Sequence, residues 1–185
     1  MKTSITMAIS FAILLGITSC SNTPNTDNTM KEPTTTTTPS GGDLMADAPA
    51  YDKSKIDPNA PVTEITLRAT GNTMTEMKYD QKEIKVKAGT TIKLTLINTG
   101  NDAAMVHNFV LIEEGSDDKV GPAGLTAGAN KNYTPDLKEV LVGSDMTGPG
   151  KKTTITFPAP EKGTYDFICT YPGHYKMMNG KFIVE

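Results

Sequence analysis

The sequence has no cluster of lysine or arginine residues, and its 185 residues carry a formal net charge of −3. Binding to nucleic acid and electrostatic attachment to an anionic membrane both need such a cluster, so neither is expected. The chain also lacks the run of about 20 apolar residues that a membrane-spanning helix requires. It has only two cysteines and two histidines. We therefore expect one well-buried domain plus an appendage, and we expect its partners to be proteins.

The N-terminus resembles a bacterial lipoprotein signal. Lys2 precedes a short apolar stretch from Met7 to Ile17, and Thr18-Ser19-Cys20 follows. This arrangement resembles the lipobox, in which the cysteine is acylated and becomes the new N-terminus; an ordinary signal peptide cleaved elsewhere is the alternative. We expect residues 1–19 to be a signal peptide and Cys20 to be the lipidation site. The protein would then be exported and anchored to a bacterial membrane, facing the periplasm or the cell exterior.

Residues 20–61 have the composition of a tether. They are rich in Thr, Pro, Asn and Gly, with few large apolar side chains, and they include five consecutive threonines between Pro33 and Pro39. A segment of this composition cannot bury a hydrophobic core, so we expect a flexible tether, with an O-glycosylated stalk left open. The folded domain is predicted to cover residues 62–185.

Beyond Pro61, short runs of alternating apolar residues are separated by Gly, Asn and Pro, which is typical of antiparallel β structure. The fold class is predicted to be all-β, a Greek-key sandwich of seven to nine strands. Between Glu113 and Gly150 the alternation breaks, which indicates an inserted flap whose residues 122–128 hold at most a short helix. The predicted inward rows are Ile65-Leu67-Ala69, Ile84-Val86, Ile92-Leu94-Leu96, Met105-His107-Phe109-Leu111, Thr153-Ile155-Phe157, Tyr165-Phe167-Cys169 and Phe182-Val184.

The few sulfur and imidazole side chains match one kind of metal site. If Cys20 is lipidated, Cys169 has no disulfide partner, and a lone thiol in an oxidising compartment is either a buried small side chain or a ligand. His107, His174 and Met178 complete a set of two imidazoles, one thiol and one thioether. Blue-copper electron-transfer sites use this set, with the thioether as a weak axial ligand. We therefore predict one copper ion that alternates between Cu(I) and Cu(II).

Strand parity supports the ligand set. His107 shares its parity with Phe109 and Leu111, so its side chain is expected to point inward from a strand distant from the loop that carries the other three ligands. Met178 is in phase with the apolar residues that follow it, whereas Met177 is out of phase. Met178 is therefore the predicted axial ligand, and Met177 is expected to be an ordinary core side chain.

Two segments together resemble the azurins and the related auracyanins of the cupredoxin family: Met105-Val106-His107-Asn108-Phe109-Val110-Leu111 and Cys169-Thr170-Tyr171-Pro172-Gly173-His174-x-x-x-Met178. The resemblance covers about residues 62–185. It implies that His107, Cys169 and His174 bind copper equatorially and that Met178 binds it axially. It also implies a weak axial carbonyl from Val106, where azurins usually have glycine. Azurins carry a disulfide that this chain cannot form, which favours the auracyanin-like members.

Further residues are assigned supporting roles. Asn108 is expected to tie its strand to the ligand loop near Thr170, and the backbone N–H groups of Asn108 and Tyr171 are expected to point at the Cys169 sulfur. Met77 matches an azurin position near the metal-end surface, although a core or surface methionine is equally consistent.

The functional prediction is a single-electron carrier with no enzymatic activity. The ring edge of His174 is expected to reach the surface within an apolar docking patch formed by Met105, Tyr171, Pro172 and Gly173. Redox proteins such as a quinol-oxidising complex, a cytochrome c or a terminal oxidase are the expected partners. Copper-enzyme chemistry would need a further histidine-rich site, and both histidines are already used. The alternative is a lipoprotein that stores copper or delivers it to another protein.

Overall fold

The computed structural model describes residues 53–185 of the chain. The predicted signal peptide, the predicted lipidation site Cys20 and most of the predicted tether lie outside the described residues and stay predictions. In the described part, no helix is long and apolar enough to cross a membrane.

Nine strands and one α-helix make up the regular structure of the described residues. The strands are β1 (Val62–Thr70), β2 (Lys78–Tyr79), β3 (Glu83–Val86), β4 (Thr91–Asn98), β5 (Val110–Glu113), β6 (Val140–Gly143), β7 (Lys152–Pro158), β8 (Gly163–Ile168) and β9 (Asn179–Val184). The helix α1 spans Asp117–Ala127, and short 3-10 turns span Lys53–Lys55 and Ala129–Lys131.

The strands form two sheets, in the orders β2-β1-β4-β7 and β3-β9-β8-β5-β6. Two pairs are parallel, β1 with β4 and β3 with β9, and all other pairs within the sheets are antiparallel. Between each pair of parallel neighbours the chain passes through the other sheet, which is the type of connection found in a Greek key. The predicted all-β Greek-key sandwich is confirmed.

The core between the sheets is built from the rows that the alternation predicts. One cluster unites side chains of both sheets, including Leu67, Leu94, Phe109, Phe167 and Phe182, which are all fully buried. A second, smaller cluster lies on the other face of β5 and β8, where α1 and β6 contribute Val120 and Val140. The strand β5 is therefore buried on both faces, which explains why it is apolar at consecutive positions instead of alternating.

The segment predicted as a flap contains more regular structure than expected. The helix begins at Asp117, five residues before the predicted helical stretch, and β6, which was not predicted, pairs with β5. Two glycines explain how closely the helix packs against the rest of the domain. A Cβ on Gly121 would lie 2.3 Å from the Tyr175 ring, and one on Gly124 would lie 2.1 Å from the Thr170 carbonyl oxygen. These glycines form the contact face of α1, because only a residue without a side chain allows so close an approach.

Candidate metal centre

The ligand loop, residues 169–178, joins the end of β8 to the start of β9. These strands are antiparallel neighbours, and Ile168 pairs with Asn179 at the mouth of the loop. The ladder continues for one further bond, because the Cys169 N–H donates to the Met178 carbonyl at 2.9 Å. The first and last residues of the loop are thus held side by side.

A turn inside the loop brings His174 back towards Cys169. Gly173 has φ 84°, a left-handed conformation that glycine adopts without a steric cost. The His174 N–H then donates to Tyr171 O at 3.0 Å, and the His174 carbonyl accepts from Met178 N–H at 2.9 Å. As a result, the Cys169 sulfur lies 3.7 Å from Nδ1 of His174.

His107 reaches the same point from another part of the chain. It was expected to lie in a regular strand, but it does not. The strand β5 begins at Val110, and His107 precedes it in an isolated bridge with Thr147. Two backbone hydrogen bonds of 3.1 Å and 2.7 Å join these two residues. The His107 side chain is fully buried, and its Nδ1 lies 3.2 Å from Nδ1 of His174.

The three side chains together fit a copper ion. One donor atom each of His107, Cys169 and His174 lies within 4.8 Å of the others, and all three residues are buried. The nitrogens that converge are the two Nδ1 atoms, 3.2 Å apart, and the Cys169 sulfur lies 3.7 Å from Nδ1 of His174. Two imidazole nitrogens and one sulfur that converge in a buried pocket are the donors that copper prefers, and a bound cation would repay the cost of burying them.

Burial also sets the protonation of these side chains. It lowers the pKa of His107 and of His174 to about 4, and the neighbouring His174 contributes to the lowering at His107. Both imidazoles are therefore neutral at pH 7 and can act as ligands. Burial raises the pKa of the Cys169 thiol to about 12, against the opposing effect of backbone N–H groups of Asn108 and Tyr171 that hydrogen-bond the sulfur.

The two adjacent methionines have opposite environments. Met178 is fully buried in the main core cluster, directly beside Cys169 in the backbone ladder. Met177 is 43% exposed, so the expectation that it is a core side chain is wrong. It lies on the outside of the turn because its N–H bonds inward to the His174 carbonyl at 3.0 Å. Met77, left open between surface and core, is buried in the core.

Asn108 links the His107 segment to the ligand loop. Its Nδ2 donates to the Thr170 hydroxyl and to the Asn132 carbonyl, both at 2.8 Å, and its Oδ1 accepts from Thr170 N–H at 2.9 Å. The buried hydroxyl of Tyr79, a contact that was not predicted, donates to the Asn108 carbonyl. The segment on which His107 depends is thereby fixed on several sides.

The predicted docking patch differs from expectation in the burial of His174 and Met105. The ring edge of His174 was expected to reach the surface, but this residue is only 1% exposed. Its ring packs against Tyr171 with centroids 4.7 Å apart, and Tyr171 in turn packs against Tyr133 at 4.9 Å. The Tyr171 ring thus covers the imidazole from the side.

The other members of the predicted patch differ in exposure. Met105 is buried, Pro172 is half-buried and Gly173 is exposed. Met74, which was not predicted, also belongs to this surface. It is exposed, and its Cε lies 3.3 Å from the position that a Cβ on Gly173 would occupy. Val106 is half-buried, with its N–H bonded to Ala104 O at 3.1 Å, and its carbonyl role stays a prediction.

Comparison with known proteins agrees with this site. Residues 65–185 match the family described as copper binding proteins of the plastocyanin/azurin family. Auracyanin-A of Chloroflexus aurantiacus is 37% identical over 130 residues, which cover 69% of this chain and 76% of the relative. Outer membrane protein H.8 of Neisseria gonorrhoeae is 34% identical over 119 residues, which cover 61% and 64%.

A solved structure shows the same fold. The dithionite-reduced auracyanin of Roseiflexus castenholzii superposes with a TM-score of 0.59 at 37% identity, over 68% of this chain and 99% of that one. The fold, the His-Cys-His cluster and the family match agree with one another. The chain belongs to the plastocyanin/azurin family of copper-binding proteins, the blue-copper cupredoxins, whose members act in electron transfer.

Proposed function

We propose that this protein carries single electrons on one copper ion held by His107, Cys169 and His174, with Met178 as the axial ligand. The observation that carries the proposal is the convergence of three buried donor atoms within 4.8 Å of one another. Copper bound there would supply one-electron chemistry between Cu(I) and Cu(II). We propose no catalytic role, because both histidines belong to this one site.

The protein's own groups prepare the site for a cation. A neutral imidazole with its proton on Nε2 can bind a metal through Nδ1 without losing a proton. The thiol of Cys169, with its pKa of about 12, must release a proton when a metal binds. The N–H groups of Asn108 and Tyr171 then stabilise the thiolate sulfur that remains.

A rigid site suits electron transfer because little movement on a change of charge means a low barrier. The Cys169–Met178 hydrogen bond closes the ligand loop, and the Asn108 side chain fastens it to the His107 segment. The helix α1 lies directly on the loop through Gly121 and Gly124. These contacts support a site that keeps its shape in both oxidation states.

Docking of redox partners is proposed for the exposed surface beside the ligand loop. Met74 is 47% exposed and Met177 is 43% exposed, and Pro172 and Gly173 lie in the same loop region. A small apolar surface suits a transient complex that forms and dissociates quickly. We propose that the partners are redox proteins, such as a quinol-oxidising complex, a cytochrome c or a terminal oxidase.

Membrane attachment through an acylated Cys20 is part of the same proposal. It places a soluble copper domain on a tether near membrane-bound partners, and one relative is named as an outer membrane protein. Metabolic labelling with a radioactive fatty acid tests this step. The wild-type protein should be labelled and sediment with membranes, and Cys20→Ala should do neither. An unlabelled wild-type protein would contradict the anchor without affecting the copper site.

The decisive experiment for electron transfer is copper loading. Copper-free protein given one equivalent of Cu(II) should turn intensely blue, lose the colour with ascorbate and regain it with ferricyanide. The Cys169→Ser variant should stay colourless while it keeps the far-ultraviolet circular dichroism of the β fold. A wild-type protein that remains colourless after copper addition contradicts the proposal.

Copper delivery is the second candidate, favoured by the two exposed methionines, whose thioethers could pass Cu(I) to a partner. The burial of all three ligands of the cluster opposes it, because delivery needs exchangeable ligands. Incubation with a strong Cu(I) chelator separates the two functions. An electron carrier should retain its copper over many hours, whereas a delivery protein should lose it within minutes.

A further inference from the structure

Lys82 contacts the C-terminal end of the ligand loop. It lies just before β3, and its ammonium donates to Asn179 O at 2.9 Å, Met177 O at 3.2 Å and Asn179 Oδ1 at 3.3 Å. A lysine ammonium has three N–H donors, so these three acceptors use its full capacity. Two of the acceptors are the backbone carbonyls on either side of Met178.

The backbone of Met178 itself is held from the inside. Its N–H donates to the His174 carbonyl and its own carbonyl accepts from Cys169 N–H, both at 2.9 Å. The backbone groups of Met178 are therefore bonded within the loop, and the carbonyls of its two neighbours, Met177 and Asn179, are bonded by Lys82. Together they leave the peptide units around Met178 little freedom to rotate.

Asn179 extends the reach of Lys82 into the turn. While its Oδ1 accepts from Lys82, its Nδ2 donates to the carbonyls of Tyr175 and Lys176, both at 3.0 Å. The ammonium thus also orients the amide that caps the turn after His174. The backbone of Lys82 is fixed in turn, because its carbonyl accepts from Lys181 N–H at 2.9 Å.

We propose that Lys82 is a positioning residue for the copper site, whose ammonium fixes the backbone on both sides of Met178 and so sets how the Met178 thioether would face a metal held by His107, Cys169 and His174. The proposal rests on the proposed function and deepens it. Axial-ligand strength tunes the properties of blue-copper sites, so a residue that holds the axial ligand in place influences them without touching the metal.

The test compares Lys82→Met with a matched control, Lys85→Met. Lys85 is an exposed lysine on β3 whose ammonium pairs with Glu83 at 3.1 Å, so its replacement removes the same charge from the same region. A third variant, Lys82→Arg, keeps the charge and several donors and should restore the wild-type behaviour. Circular dichroism checks that each variant is folded.

The first readout is amide hydrogen exchange of the copper-free proteins. In Lys82→Met, the amides of Met178 and Cys169 should exchange about 2- to 10-fold faster than in the wild type, the range that one hydrogen bond represents. Both control variants should match the wild type. The second readout is the visible spectrum of the copper-loaded proteins, which should shift in Lys82→Met and not in Lys85→Met.

The outcomes separate this inference from the proposed function. If the wild type binds no copper with a blue colour, the proposed function fails, and the exchange rates still decide whether Lys82 holds the loop. If the wild type is blue and Lys82→Met matches it in both exchange and spectrum, the positioning role of Lys82 is refuted alone. Should Lys82→Met not fold, Lys82→Gln gives the same comparison with a smaller change.

Discussion

Replacing Asn108 with alanine should destabilise the copper-free protein strongly, although Asn108 binds no metal in the proposed site. Its side chain forms three hydrogen bonds of 2.8 to 2.9 Å, two with Thr170 and one with the Asn132 carbonyl. Both Asn108 and Thr170 are fully buried. After truncation, the Thr170 N–H and hydroxyl would be left without their partner in a place that water reaches poorly.

The size of the effect follows from the number of bonds and from their burial. A typical intramolecular hydrogen bond contributes about 0.5–1.5 kcal/mol net, so three bonds contribute about 1.5–4.5 kcal/mol. A buried polar group left unpaired costs about 1–3 kcal/mol, which favours the upper half of that range. We expect Asn108→Ala to lower the free energy of unfolding by about 3 kcal/mol.

Urea unfolding of the copper-free proteins, followed by circular dichroism, measures this loss. Copper is left out because a ligand that binds only the folded state adds its own stabilisation. With a slope of about 2 kcal/mol per molar urea, the midpoint should fall by about 1.5 M. The control is Asn101→Ala, since the Asn101 side chain is exposed, and its midpoint should stay within about 0.25 M of the wild type.

A double-mutant cycle with Thr170→Val identifies the source of the loss. If the Asn108–Thr170 contact carries it, the two substitutions together should cost less than their sum, by about 1 kcal/mol or more. A loss below about 1 kcal/mol in Asn108→Ala, or full additivity in the cycle, would refute the view that this asparagine holds the two ligand-bearing segments together.

Three further predictions concern the loop, the helix and pH. In the copper-loaded protein, Met178→Leu should raise the reduction potential measured by redox titration, whereas Met177→Leu at the exposed neighbour should not, and equal shifts would contradict the axial assignment. Gly124→Ala should cost about 1–3 kcal/mol in urea unfolding, because the added Cβ would lie 2.1 Å from Thr170 O, while Gly148→Ala, with no atom within 4 Å, should change the stability by less than about 0.5 kcal/mol. Burial holds the pKa of His107 and of His174 at about 4, below the unfolded value, so the unfolded chain takes up protons first as the pH falls. The copper-free protein should therefore lose stability between about pH 6.5 and pH 4, by up to about 3 kcal/mol per histidine. A free energy of unfolding that stays constant over this pH range would contradict this burial.

Most of the sandwich could be predicted because alternation along a strand reports directly which side chains face the core. The rows containing Leu67, Leu94 and Phe182 were right for this reason. The strand β6 was missed because Val140, Leu141 and Val142 are apolar at consecutive positions, so no alternation marks it as a strand. The extent of α1 was missed because two glycines ordinarily weaken a helix, and their use as a contact face depends on Thr170 and Tyr175, which lie far away in the sequence.

The candidate metal centre was predictable for a different reason. The chain has so few histidines and cysteines that their number, spacing and strand parity together suggested a single site, and the cluster of His107, Cys169 and His174 has that composition. Lys82 was missed because lysines are usually solvated and its contacts lie 95 and 97 residues away. The burial of His174 was missed because a Pro-Gly turn suggests exposure, whereas the Tyr171 ring covers the imidazole from the side.

The ligand loop is held without a covalent cross-link, which makes its rigidity dependent on several weak contacts. Cys169 is free, and it is the single cysteine in the part of the chain that the structure describes. The loop is instead fastened by a buried asparagine on one side, by a helix packed through glycine on another and by a lysine ammonium at its far end. Each contact is worth little alone, but they act on different peptide units of the same loop. Loss of one should therefore loosen the loop locally before the sandwich unfolds, so damage to the metal site and loss of global stability should be separable in this protein.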